Sequence, residues 1–141
     1  MNTSNLNTKD LMVGDWVSLS KGNWSENRQV ELIDIEMIAG SVYFAAPIHL
    51  TPDILEKNGF EKIQIHGEKQ DDIFQCFDGE IIIEVGIYDP NFILIRYRYE
   101  TPDGINSGEL SSIVKVDGGK FYLHELQHAL RLCGIEKEIV L

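Results

Sequence analysis

Residues 120–134 read KFYLHELQHALRLCG, and the spacing of their apolar side chains decides how the end of the chain folds. Six apolar side chains recur at spacings of three and four residues, as on one side of a helix: Tyr122, Leu123, Leu126, Ala129, Leu130 and Cys133. The predicted core stripe centres on four of them: Tyr122, Leu126, Leu130 and Cys133. Gly134 follows where a C-terminal cap is expected. The stretch therefore predicts an amphipathic C-terminal helix whose apolar stripe closes the core.

The same stretch contains His124, Glu125 and His128 in the HExxH spacing of zinc peptidases. On a helix that spacing places two imidazoles on one face as ligands, and the glutamate polarises the metal-bound water. A catalytic zinc needs a third protein ligand, and the extended motif would require glycine at 131 and histidine at 134. The chain has Arg131 and Gly134 there. A third ligand would have to come from four other residues: His49, His66, Glu136 or Glu138.

A helical wheel places His124 and His128 nearly opposite the apolar stripe, on a face shared with Lys120 and Arg131. Two cations beside a divalent ion oppose its binding, so the pattern favours an ordinary solvated face. We therefore predict no catalytic residue, no metal ligand and no cofactor. The alternative is a minimal zinc-dependent hydrolase with His124 and His128 as ligands and Glu125 as the base.

Upstream of this helix, the sequence LTPDILEKNGF predicts a second, shorter one. Thr51 suits the N-cap, Pro52 the first helical position and Asp53 the positive end of the helix dipole. Gly59 suits the C-terminal cap. After the C-terminal helix, apolar and charged side chains alternate in residues 135–141 (IEKEIVL), which predicts a last edge strand.

The N-terminal part, residues 11–50, shows short apolar runs between glycine and asparagine turns, which predict short antiparallel strands. Residues 29–38 are among those predicted to be extended. Strands of this length resemble a small SH3-like barrel or a curled sheet. Its tryptophans, Trp16 and Trp24, are candidates for a ligand groove, although a tryptophan in so small a barrel more often fills the core.

The second half predicts an antiparallel sheet, and its strand FILIRYRYE alternates Arg96 and Arg98 on one face with Tyr97 and Tyr99 on the other. Arginine beside tyrosine can stack on bases, so these four residues are a candidate nucleic-acid surface. An ion-paired solvent face is the competing interpretation. Either this strand or the C-terminal one, if left at a sheet edge, would invite pairing with a second copy of the chain.

Composition limits the function classes that remain. The chain has 141 residues, with 12 Lys and Arg against 23 Asp and Glu and a net charge of -11, so it repels phosphate backbones and anionic membranes. We find no apolar run long enough to span a membrane and no secretory signal, and Cys76 and Cys133 are too far apart for a CxxC site. These features predict a cytoplasmic location with both cysteines reduced.

Three segments carry a resemblance: VGDWV (13–17), PIHLTPDILEKNGF (47–60) and FYLHELQHALRLCGI (121–135). Together they resemble a group of small uncharacterised proteins of gut anaerobic bacteria that are associated with phage and mobile elements. In that group the position of His128 is histidine or asparagine, which the resemblance implies is incompatible with a zinc site common to the group. The group has no established activity, so the resemblance implies a setting and no reaction.

The predicted fold is therefore α+β: an N-terminal barrel or curled sheet, a short helix, an antiparallel sheet, and a C-terminal helix with an edge strand. Residues 1–10 are expected to form a flexible lead-in, 11–50 the SH3-like part, and 51–141 the remainder of one compact unit. The predicted function is a non-enzymatic interaction or accessory module that binds a protein partner or itself. The zinc hydrolase and a nucleic-acid-associated module are the alternatives.

Overall fold

The computed structural model describes residues 6–63, 73–87, 91–116 and 119–141. These ranges contain helices and two antiparallel sheets, so the α+β class is confirmed. The chain divides into two compact units, which are described separately: Met1–His49 with Tyr122–His128, and Leu50–Phe121 with Ala129–Leu141. His66, one of the residues considered as a third zinc ligand, lies outside the described residues.

The first unit contains a 3-10 helix and four further elements before its short C-terminal segment. After Thr8–Asp10 come β1 (Trp16–Lys21), β2 (Trp24–Gln29), α1 (Leu32–Ala39) and β3 (Phe44–Pro47). β1 pairs with both other strands, which gives the order β2-β1-β3. Part of the predicted lead-in has defined contacts, because the Leu6 N–H donates to the Ala45 carbonyl at 3.1 Å.

The prediction of an extended segment over residues 29–38 is wrong, because β2 ends at Gln29 and α1 begins at Leu32. A capping box decides this start: the Glu31 side chain accepts from the backbone of Asp34, and the Asp34 carboxylate accepts the Glu31 N–H at 2.9 Å. Asp34 is only 2% exposed, and the Arg28 guanidinium lies 3.4 Å from its carboxylate. These local bonds outweigh the alternating pattern of the segment.

The first unit's core lies between its sheet and α1. Its buried apolar residues are Leu11, Val17, Leu19, Val30, Ile38 and Ala45. The alternate exposure of β1, with Val17 and Leu19 buried, fits a sheet with one buried face. The sheet is not closed into a barrel, so the barrel prediction is not confirmed.

The second unit is built on a five-stranded antiparallel sheet in the order β4-β5-β6-β7-β8. Its strands are β4 (Glu61–Ile63), β5 (Ile73–Asp78), β6 (Ile81–Ile87), β7 (Asn91–Thr101) and β8 (Gly104–Lys115). β7, which contains FILIRYRYE, pairs with β6 on one side and β8 on the other, so it is not an edge. The edges of the sheet are β4 and β8.

Helix α2 (Pro52–Lys57) confirms the prediction for this segment. The Thr51 hydroxyl accepts the Ile54 N–H at 3.3 Å, and Pro52 is the first helical residue. Asn58 is the C-cap, and Gly59 follows with a φ of +85°, a left-handed conformation that glycine adopts without steric cost.

The predicted edge strand at residues 135–141 is wrong, because these residues contain no strand. The Asn58 side chain takes the place of a neighbouring strand: its amide donates to the Val140 carbonyl and its oxygen accepts the Val140 N–H, both at 2.8 Å. Ile135 and Ile139 are nevertheless buried. The apolar positions in this segment therefore reflect the burial of Ile135 and Ile139.

Helix α3 (Leu123–Leu132) is present as predicted, but its buried side is wider than the predicted stripe. Leu126 and Leu130 are 1% exposed, whereas Tyr122 and Cys133 are only half-buried. Leu123 and Ala129 are also buried. Partial burial raises the pKa of the Cys133 thiol. None of the helices in the described ranges has both the length and the apolar character needed to cross a membrane.

Candidate functional site

Glu125, the residue at the position of the catalytic glutamate in HExxH, caps the helix that carries it. The backbone of Tyr122 forms an isolated bridge with His49, and the Leu123 N–H donates to the Ile48 carbonyl at 2.7 Å. The Glu125 carboxylate then accepts the Tyr122 N–H at 2.8 Å. A carboxylate in the first turn also interacts favourably with the positive end of the helix dipole. These contacts give Glu125 a structural role at the start of α3.

His124 is buried, with 6% of its surface exposed. Its ring stacks on Tyr122, with centroids 6.0 Å apart, and meets the His128 ring edge-on at 5.5 Å. Burial lowers the pKa of His124, against the opposing attraction of Asp15. Among the described residues, its Nδ1 has no hydrogen-bond partner. A proton on Nδ1 would be a buried N–H without an acceptor among the described residues, which is a costly arrangement.

Gln127 and His128 hold the segment Gly14-Asp15-Trp16, and we call these five residues the turn clamp. The Gln127 side chain accepts the Trp16 N–H at 2.8 Å and donates to the Gly14 carbonyl at 2.9 Å. The His128 Nε2 lies 2.6 Å from the Asp15 carboxylate. Asp15 is fully buried at 0% exposed, and Gln127 is 6% exposed. The turn clamp joins two stretches that are more than one hundred residues apart in sequence.

The prediction of a solvated face for these histidines is wrong. His124 is buried, and the His128 side chain is 25% exposed. A helical wheel identifies the apolar side of a helix, but it carries no information on polar groups elsewhere in the chain that need partners. The Trp16 N–H and the Asp15 carboxylate are two such groups, and their partners are Gln127 and His128 on the polar side of α3.

The structure brings together His124 and His128, the zinc ligands of the alternative hypothesis, and places the Asp15 carboxylate beside His128. Even so, the described residues contain no group of three or more His, Cys, Asp or Glu side chains arranged to hold a metal ion. Asp15 also accepts the Met12 N–H at 2.8 Å, and the His49 ring lies 5.2 Å from the Tyr122 ring. These contacts favour a hydrogen-bonded structural cluster over a zinc centre.

A cavity of about 500 Å³ opens beside this cluster in the first unit. It is lined by residues of the N-terminal segment and of α3: Leu6, Lys9, Asp10, Met12, Tyr122, His124, Glu125 and His128. The lining contains one lysine and two acidic residues, so its charges of opposite sign do not favour a ligand of either charge.

The structure does not bring the two tryptophans of the predicted groove together. Trp16 begins β1 and lies opposite Gln29, whereas Trp24 lies opposite Lys21 at the other end of the same hairpin. The step from Trp16 to Lys21 is five residue rises along β1, which is about 16 Å at the usual rise per residue. Trp24 contacts Tyr43 instead, with ring centroids 5.7 Å apart.

On β7, the strand of the candidate nucleic-acid surface, one of the two arginines is already ion-paired. Arg96 forms an ion pair with Glu84 on the neighbouring strand. Tyr97 and Tyr99 are about two-fifths exposed, with their rings 5.6 Å apart. Tyr97 also covers Gly108 on β8, where any Cβ would collide with the tyrosine ring. Arg98 is half-buried, so the strand offers an aromatic pair and no cluster of free cations within the described ranges.

The sequence-based reasoning did not anticipate that β8 would be an outer strand. It has 12 residues and pairs only with β7 among the described strands. Five large apolar side chains along it and just after it are exposed: Ile105, Leu110, Ile113, Val114 and Val116. The sequence Pro102-Asp103-Gly104 was an available signal, since turn residues between two extended runs indicate a hairpin.

Comparison with protein-family models, with curated proteins and with solved structures finds no match to this chain.

Proposed function

We propose that this protein is a non-enzymatic interaction module that binds an extended polypeptide by adding it as a strand to the outer side of β8, which pairs with no described strand other than β7. The observation that carries the proposal is the combination of edge position, length and exposed apolar side chains in this one strand. An edge strand presents unpaired backbone N–H and C=O groups, and these are a template for another strand.

Natural proteins usually protect such edges with charge, proline or a covering loop. Residues 104–116 read GINSGELSSIVKV and contain one acid, Glu109, and one base, Lys115. Proline is absent from this stretch. Val114 and Val116 are 58% and 72% exposed, so the apolar surface continues to the end of the strand. Apolar surface of this kind on an outer strand supports a binding role.

The charge of β8 indicates the kind of strand that it would accept. The whole chain carries -11, but residues 104–116 are neutral, with Glu109 and Lys115 balancing each other. A partner strand would therefore be selected by backbone hydrogen bonds and by apolar side chains, with little contribution from charge.

The experiment is selection of random peptides on the immobilised full chain, followed by NMR with a selected synthetic peptide. We expect amide shifts concentrated in β8 and slower hydrogen exchange of its amides in the complex. Val114→Lys should weaken binding by tenfold or more, because a lysine on the edge opposes strand addition. Leu132→Lys, at a helix position that is 84% exposed, is the matched control. Selected peptides that shift amides elsewhere and leave β8 unchanged would contradict the proposal.

The wider setting of this module is also a proposal. The two widely separated cysteines support a cytoplasmic protein, and the three quoted sequence segments support an accessory role in phage or mobile elements. An SH3-like curl of the β2-β1-β3 sheet would fit the same role, because small curled sheets commonly serve as interaction domains.

Two alternatives stay as predictions with direct tests. Zinc hydrolysis through His124, Glu125 and His128 requires stoichiometric zinc in the purified protein and loss of activity on chelation. Nucleic-acid binding through Tyr97, Tyr99 and the neighbouring arginines requires affinity that falls steeply with salt.

A further inference from the structure

We infer that the strand added to β8 is the β8 of a second copy of this chain, paired antiparallel across a two-fold axis at Ile113. This inference rests on the proposed function and names its partner. A homodimer with a two-fold axis uses the same surface on both copies, and an antiparallel pair of identical edge strands satisfies that symmetry.

The pairing of β7 with β8 locates the axis. Ile95 pairs with Ser111 and Arg96 pairs with Glu109, so Leu110 is an extra residue at a register shift. The register is regular on both sides of this shift, over Gly104–Glu109 and over Ser111–Lys115. The second segment contains the adjacent exposed residues Ile113 and Val114, and its middle residue is Ile113. A two-fold axis at Ile113 keeps the new ladder within this regular segment.

The side chains on the two faces of the sheet agree with this register. Ile113 lies opposite Ile93, which is fully buried, yet Ile113 is itself 37% exposed because no described strand lies beyond it. Across the axis, Ile113 would meet the same residue of the partner and extend the buried apolar face. Ser112 would meet the partner's Val114, and Lys115 would meet the partner's Ser111, so no like charges face each other.

The charges of the chain predict how the dimer responds to salt. Each copy carries -11, so the two copies repel at long range, whereas the paired segment Ser111–Lys115 contains a single lysine and no acid. Added salt screens the repulsion and should strengthen the dimer. A strand seam of this length is a small interface, so the dimer should dissociate on dilution.

The test is sedimentation velocity of the full chain over a range from low to several hundred micromolar, at low and high salt. We expect the mass to rise from 16.0 kDa toward twice that value with concentration, and to rise further with salt. Ile113→Lys places two ammonium groups at the axis and should give a monomer throughout. Ile105→Lys is the matched control, because it makes the same change on the same strand at a 63% exposed position outside the paired segment.

A cysteine test checks the register independently. Ile113→Cys should form an intermolecular disulfide under mild oxidation, because two-fold symmetry brings the two residues opposite each other, and the wild-type chain and Ile105→Cys should not. Circular dichroism and thermal unfolding confirm that each variant folds. A dimer that persists in Ile113→Lys, or one that is lost in Ile105→Lys, would overturn this geometry.

The outcomes for this inference and for the proposed function are separable. A chain that is monomeric at every concentration and salt overturns the second copy as partner. Selected peptides that bind β8 of that monomer would still support strand addition. If neither peptides nor a second copy bind at β8, both fail.

Discussion

Replacing Gln127 with methionine tests the turn clamp most directly. Methionine keeps the length and most of the volume of glutamine but has no amide, so the change removes both hydrogen bonds of Gln127 with little loss of packing. The Gly14 carbonyl keeps a second donor, the Gln29 side chain at 3.2 Å. The Trp16 N–H loses the acceptor that Gln127 provides at 2.8 Å.

The expected loss follows from these two contacts. A hydrogen bond contributes roughly 1 kcal/mol net, and a partly buried donor that loses an acceptor costs about 1–3 kcal/mol. We therefore expect Gln127→Met to lower the free energy of unfolding by about 2–4 kcal/mol. Urea unfolding followed by tryptophan fluorescence measures this, and Trp16 reports from the site itself.

Leu132→Met is the matched control for this prediction. It lies on the same helix at 84% exposure, so its free energy of unfolding should change by less than about 0.5 kcal/mol. If Gln127→Met also cost less than about 1 kcal/mol, the reasoning that the polar side of α3 holds residues 14–16 would be refuted.

Three further predictions concern other parts of the chain. Burial lowers the pKa of His124 below its ordinary 6.5, so the unfolded chain takes up this proton at a higher pH than the folded chain does. The free energy of unfolding should therefore decrease as the pH falls below about 6.5. Urea titrations at several pH values should show less of this decrease in His124→Phe. Gly108→Ala should displace the Tyr97 ring and lower the free energy of unfolding by about 1 kcal/mol. A smaller loss in a Tyr97→Ala background would identify ring displacement as the cause, and an equal loss would contradict it. Asn58→Ala removes both hydrogen bonds to Val140 and should speed hydrogen exchange of the Val140 amide at least tenfold. If the exchange rate does not change, the last residues of the chain are held by other contacts.

Features that depend on neighbouring residues were predictable from the sequence. Thr51 and Pro52 start α2, and Gly59 follows its end, because capping bonds form within a few residues of each other. The periodicity of residues 120–134 predicted α3 for the same reason. Helix α1 was missed because its apolar and acidic residues alternate like those of a strand, and the bond between Asp34 and the Glu31 N–H decided for helix.

By itself, the sequence determined the α+β class, the positions of α2 and α3, and the acidity of the chain. Only the tertiary structure decided what the HELQH segment does, since Gln127 and Trp16 are separated by 111 residues, and no local pattern records which distant backbone groups need a partner. The edge position of β8 was likewise decided by the order of the strands in the sheet. A strand's own residues set its tendency to be extended, but whether its second side is paired depends on where every other strand lies.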